Sequence, residues 1–111
     1  MLSFQRLHVY RRAIEFLAFA TELAEALPRG HAERLDQLVR ASESVVRSIA
    51  EGAGRWSPAD SAKHYKIAHG EAVECAASLD VLRVRKLITD ERYDVALRLL
   101  REVVAMLTKM M

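Results

Sequence analysis

The residues most able to do chemistry in this chain are four histidines, one cysteine and a scatter of carboxylates, and their spacing works against each familiar site. Di-iron centres in helical bundles need Glu-x-x-His pairs projecting inward, and no glutamate here has a histidine three residues later. His64 and His69 are five apart, whereas ligands sharing a helical face sit three or four apart. Glu71 and Glu74 share a face, but His69 does not join them. Cys75 falls within an apolar stripe, the setting of an inert small hydrophobe and not of a nucleophile. No arginine precedes a histidine by one or two turns, as the ribonucleases built on helical bundles require. Gly52-Ala53-Gly54 follows a helical pattern instead of a strand, so it is no phosphate loop. The sequence therefore predicts no catalytic residue, no metal, no cofactor and no small-molecule substrate.

Basic and aromatic content remains. One cluster holds Arg55, Trp56, Lys63, His64, Tyr65 and Lys66, and a second holds Arg83, Arg85 and Lys86. Lys and Arg neutralise phosphates, and an exposed Trp56 stacks on an unpaired base. The same residues also suit a solvated helix face, and Trp56 equally suits a plug over one end of a bundle. Glu51 stands at a helix end, where its charge opposes the dipole. That placement calls for a local partner such as Arg55 or the amides of the next loop.

Composition sets the frame for these side chains. A chain of 111 residues with 51% hydrophobic and 29% charged residues is expected to fold as one domain with a single core. Lys and Arg number 17 against 15 Asp and Glu, a net charge of +2, which permits nucleic acid without demanding it. A lone cysteine allows no intrachain disulfide. The longest uncharged apolar run near the N-terminus, Phe16–Ala20, is five residues. A signal peptide needs about 7–15 and a membrane span about 20. A cytoplasmic protein with no membrane partner is expected.

Four segments carry helical periodicity, predicting helices over about 4–27, 32–51, 58–87 and 90–110. In the first, Leu7, Tyr10, Ile14, Leu17, Thr21 and Ala24 form one stripe, and Val9, Ala13, Phe16, Ala20, Leu23 and Leu27 a second. Pro28-Arg29-Gly30 is its breaker. The next helix carries Leu35, Leu38, Ser42, Val45 and Ile49. Ser57-Pro58-Ala59-Asp60 is a start signal combining a cap, a proline suited to the first turn and a favourable charge. The third helix is rich in small residues, which suggests a central place. Thr89 or Asp90 caps the fourth, where Tyr93, Leu97, Leu100, Val104, Leu107 and Met111 run beside Ala96, Leu99, Val103, Met106 and Met110. No segment alternates as a strand does. The reading is an all-α, antiparallel up-down-up-down four-helix bundle.

The terminal helices have more apolar surface than one bundle face requires. Excess of that kind marks an interface unless a wide core absorbs it. Homo-oligomerisation is therefore expected, with Phe16, Phe19, Leu99, Val103 and Met106 at the subunit contact.

The run Ser48-Ile49-Ala50-Glu51-Gly52-Ala53-Gly54-Arg55 resembles the Asn-Ile-Ala-Glu-Gly-x-Gly-Arg signature of bacterial proteins first noticed in intervening sequences of 23S ribosomal RNA genes. Phe4, Leu7, Val9, Tyr10 and Ala13 are similar to that family's N-terminal pattern. Arg40-Ala41, Ser44, Ile67-Ala68-His69-Gly70 and Glu74 also match. Ser48 replaces the usual Asn, and Glu71 a small residue. The resemblance implies a four-helix bundle assembling as a ring-shaped pentamer, with Ile49, Ala50, Glu51, Gly52, Gly54 and Arg55 as a structural motif. A related group, the accessory variability proteins of diversity-generating retroelements, binds nucleic acid and a reverse transcriptase. The resemblance implies no enzymatic activity. Together with the basic clusters, it predicts a non-enzymatic oligomer that binds RNA or a ribonucleoprotein; a scaffold for protein partners alone is the other reading.

Overall fold

The computed structural model describes residues 1–27, 30 and 32–111. Four helices carry the chain: α1 (His8–Ala26), α2 (Ala32–Ala53), α3 (Pro58–Val84) and α4 (Asp90–Met110), with no strand among the described residues. The Pro28-Arg29 breaker lies outside those residues. Each helix packs on its chain neighbours and α4 also packs on α1, so every helix occupies a corner. α3 is a corner helix too, not the central one its small residues suggested. Ala68, Ala72 and Cys75 are buried against its neighbours, whereas Gly70 and Ala77 face outward.

Paired positions run in opposite senses between neighbours. Ser42, Glu51 and Gly52 of α2 meet Cys75, His64 and Tyr65 of α3. Arg12 and Glu22 of α1 meet Glu102 and Arg92 of α4. This is compatible with the up-down-up-down order read from the sequence.

Each helix gives the core one stripe spaced three and four residues apart. These are Val9 to Leu23 on α1, Leu35 to Ile49 on α2, Tyr65 to Leu82 on α3 and Tyr93 to Leu107 on α4. The second stripes of the terminal helices are free only in part, with Ile14 39% and Met111 41% exposed. Leu7, Tyr10 and Ala24 on α1, and Leu97, Leu99, Val104, Met106 and Met110 on α4, lean against the edge of the core. This corrects the expected subunit contact. Phe16 is 2% exposed and Val103 0%, so neither reaches a neighbouring molecule. Phe19, Leu99 and Met106 are half-buried, and the Arg92 guanidinium covers the Phe19 ring at 5.2 Å.

Helix ends follow local chemistry. Ser57 Oγ accepts from the Asp60 amide at 3.2 Å with Pro58 in the first turn, and Thr89 Oγ1 accepts from the Arg92 amide at 3.2 Å. Two boundaries differ from expectation. The predicted start at Phe4 is a separate 3-10 turn, Ser3–Arg6, before an extended Leu7; the Phe4 ring folds back edge-on to Tyr10 at 5.0 Å. α3 stops at Val84 instead of Leu87. Lys86 takes a left-handed φ of 61°, its amide bonds to Arg83 O, and the Leu87 amide bonds to Leu82 O. Those two bonds are the ones that close a helix at a left-handed residue, a place glycine usually fills.

Candidate functional site

The α2–α3 connection is short and tied at both ends. The Gly54 amide donates to Ala50 O at 3.1 Å and to Glu51 O at 3.2 Å, and the Arg55 amide donates to Gly52 O at 3.3 Å. On the far side Ser57 is fixed by its capping bond. The motif residues inside this stretch serve the fold. Ile49 is fully buried, and Gly52 lies where a Cβ would meet the Tyr65 ring at 2.6 Å. Glu51 Oε2 lies 3.3 Å from Nδ1 of the largely buried His64. Glu51 thus finds its partner in α3, not in Arg55 or the loop amides.

Trp56 is left entirely outside. Its exposure is 102%, so it is no plug over the bundle. Arg55 beside it is exposed, as are Lys63 and Lys66 on the first turns of α3. Among the described residues none of these three cations has a carboxylate within 4 Å. Two members of the expected cluster leave it. Tyr65 is buried against Gly52, and His64 is held by Glu51.

The second basic cluster sits elsewhere. Arg55 precedes α3 and Arg85 follows it, and a helix of 27 residues is about 40 Å long. The molecule itself extends 44 Å, so the clusters occupy its two ends. Exposed charges that far apart are screened from each other, since the Debye length is about 8 Å at physiological salt. Arg83 is also occupied within the subunit. Its Nε lies 3.2 Å from Asp90 Oδ1 and its guanidinium 4.4 Å from the Tyr93 ring centroid. Tyr93 in turn donates its hydroxyl to Asp80 Oδ1 at 2.5 Å, which with burial raises its pKa. Of that cluster, Arg85 and Lys86 have no carboxylate within 4 Å among the described residues.

No reactive constellation gathers among the described residues. Cys75 is fully buried, and its Sγ lies 3.9 Å from the Ser42 hydroxyl, which donates to Leu38 O at 2.7 Å. Burial pushes the thiol up to about 11, so it stays protonated at neutral pH. No group of three His, Cys, Asp or Glu side chains could hold a metal there, and no helix is long and apolar enough to cross a membrane.

A family model described as 23S rRNA-intervening sequence protein matches residues 5–109. The chain belongs to this family. The match spans all four helices, including the motif that closes α2 and the loop that presents Trp56. A crystal structure of a protein of unknown function from the S23 ribosomal protein family of Bacteroides thetaiotaomicron VPI-5482 is similar at a TM-score of 0.84 and 25% identity, covering 91% of this chain and 92% of that one. No curated protein matches the chain. Membership in the 23S rRNA-intervening sequence family agrees with the sequence resemblance and carries no reaction with it.

The Glu51–His64 contact was within reach of the sequence. A turn centred on Ser57-Pro58 sets α2 against α3 so that positions 51 and 52 oppose 64 and 65.

Proposed function

We propose that this protein is a non-enzymatic up-down-up-down bundle whose copies associate and which binds RNA, or the RNA of a ribonucleoprotein, at the α2–α3 end. The observation that carries this reading is the wholly exposed Trp56 beside Arg55, Lys63 and Lys66, three cations with no carboxylate partner among the described residues. Cations supply affinity through phosphates, and an unburied indole stacks on a base that is not paired. Arg83, Arg85 and Lys86 form no part of this site, since they stand at the other end and Arg83 is held by Asp90. One such end is weakly basic. The ring of five implied by the sequence resemblance would present five of them to one strand.

The chain contains a single tryptophan, so the site reports on itself. Titrating a single-stranded oligoribonucleotide should quench Trp56 fluorescence. Three phosphate contacts on a single copy should weaken binding roughly twentyfold between about 50 and 200 mM salt, and a strand held by several copies should weaken more. Unchanged fluorescence and no binding at the lower salt would remove the proposal. The same exposed indole suits a protein partner, because tryptophan is a common anchor at protein interfaces. Under that second reading, capture on immobilised protein returns partners that survive nuclease treatment.

A further inference from the structure

The end of the bundle that presents Trp56 is built from more than the α2–α3 connection. Arg12–Glu102 and Glu22–Arg92 pair α1 with α4 in opposite senses, and Arg83–Asp90 and Asp80–Tyr93 do the same for α3 and α4. In the bundle proposed above, the start of α1 and the last turns of α4 therefore share that end. The 3-10 turn packs on α1 and α2 beside them. The segments that form this end, residues 1–12, 47–66 and 101–110, hold nine Lys and Arg against three carboxylate side chains. Two of those carboxylates are engaged, Glu102 by Arg12 at 2.8 Å and Glu51 by His64 at 3.3 Å, which leaves Asp60 in the first turn of α3. The opposite end is mixed, since Glu22, Glu25, Asp90, Glu91 and Asp94 stand among its cations. A polyanion is thus drawn to the Trp56 end.

The surplus is spread round that end. Arg55, Lys63 and Lys66 stand on the α2–α3 side. On the far side, α1 and α4 carry Arg11 and Lys109, both exposed and, among the described residues, with no carboxylate within 4 Å. The molecule measures 22 and 20 Å across, too wide for one phosphate to serve both sides. Next to Lys109 lies an apolar groove of about 280 Å3, walled by Leu7, Val9, Met106 and Met110, with the exposed His8 also lining it, one turn from Arg11. The groove is smaller than the roughly 300–1,000 Å3 that drug-sized ligands fill, and it takes one flat ring. Thioether sulfurs make favourable contacts with aromatic rings, and a base on this floor leaves its phosphates to Lys109 and Arg11. An apolar segment of a second copy fits the groove but not its two unpaired cations. A nucleotide fits both.

We infer that a single RNA strand crosses the whole end, with one base stacked on Trp56 and another in the α1–α4 groove, and that Arg11 and Lys109 add two phosphate contacts to those of Arg55, Lys63 and Lys66. This deepens the RNA reading above and rests on it. The ligand is an unpaired stretch long enough to span both sides, because bases inside a duplex are not free to leave the stack for either place.

A tetranucleotide and an octanucleotide of the same unpaired composition separate the two sides. The shorter carries three internucleotide phosphates, enough for the Trp56 side alone, and both should quench Trp56. Between about 50 and 200 mM salt the tetranucleotide should lose about twentyfold in affinity, and the octanucleotide, through two further contacts, about sevenfold more. The full chain carrying Arg11→Gln and Lys109→Gln, both exposed, should bind the tetranucleotide as wild type does and lose the extra salt dependence of the octanucleotide. Met110→Glu, at the last residue of α4, should weaken the octanucleotide alone by setting a carboxylate in the groove. Circular dichroism and sedimented mass should match wild type in both variants. Equal salt losses for the two oligonucleotides, or variants that bind the longer one as wild type does, overturn the crossing and leave the Trp56 site standing. A variant of altered mass also overturns it, because the groove then belongs to a contact between copies. No quenching by either oligonucleotide removes the RNA reading and the crossing with it.

Discussion

The Tyr65 ring lies against the bare backbone of Gly52: a Cβ there would stand 2.6 Å from Cε1 and 2.8 Å from Cδ1. The contact joins the last turn of α2 to the second turn of α3 and holds the angle from which Arg55 and Trp56 emerge. Because Tyr65 is buried, its ring has no free direction in which to give way. Gly52→Ala should destabilise the subunit by about 1–2 kcal/mol, the overpacking cost less what alanine gains in a helix. Adding Tyr65→Leu should recover part of that loss. Urea denaturation of the two variants checks both steps, and a Gly52→Ala protein as stable as wild type contradicts the packing.

Lys86→Gly should act in the other direction. A left-handed φ of 61° strains any residue with a Cβ, and glycine relieves it where the closing bonds of the helix are already made. The expected gain is about 0.5–1 kcal/mol by denaturation. A loss of stability would mean that the Lys86 side chain contributes more than its backbone costs.

Cys75 ties stability to alkaline pH. Its thiol is pushed up to about 11 from 9.0 by burial. A group whose folded pKa is raised lends stability that is complete below the unfolded pKa and is lost as pH climbs through the folded one. The window is therefore pH 9 to about 11, and the loss is on the order of 2 kcal/mol. Tyr65 and Tyr93 have raised pKa values as well and add to the decline. Stability curves for wild type and Cys75→Ala should diverge in this window, with the variant falling less steeply. Parallel curves would take Cys75 out of the account.

Phe16→Asp and Val103→Asp distinguish a core from an interface. Both positions are closed off inside the subunit. An unpaired carboxylate there should cost about 3–5 kcal/mol, enough to remove most of the helical circular dichroism at 25 °C. A folded, smaller species would instead return these residues to a subunit contact.

Trp56→Ala should leave stability within about 0.5 kcal/mol of wild type, since the indole is wholly exposed. Its effect belongs to binding. Loss of one stacked base, about 1–3 kcal/mol, should weaken single-stranded RNA by roughly 5- to 150-fold. Filter binding at low salt measures it, and equal affinity would leave Trp56 out of the site.

Most of the helical frame was legible because it rests on short-range rules. Ser57, Pro58 and Thr89 act within one turn of themselves, and each does what its chemistry predicts. Apolar spacing located all four helices, and within the Ile49 to Arg55 motif Ile49 is buried and Gly52 lies against Tyr65 while Arg55 is exposed. Where the reading failed, the deciding quantity was three-dimensional. On α1 the core takes the Val9–Leu23 line, but on α4 it takes a line drawn from both stripes, Tyr93, Ala96, Leu100, Val103 and Leu107, so Phe16 and Val103 went inside while Phe19, Leu99 and Met106 stayed at its edge.

Residue type and order, then, determined four helices, the N-terminal caps of α3 and α4 and the pairing of α2 with α3 around a fixed turn. Only the tertiary structure decided that the two basic clusters stand at opposite ends, because their separation is the length of a folded helix and not a distance along the chain. It also decided that Trp56 is free while Tyr65 is buried, nine residues apart in a cluster that composition had treated as one. Periodicity says which side of a helix is apolar. What that side meets depends on where the other three helices leave room.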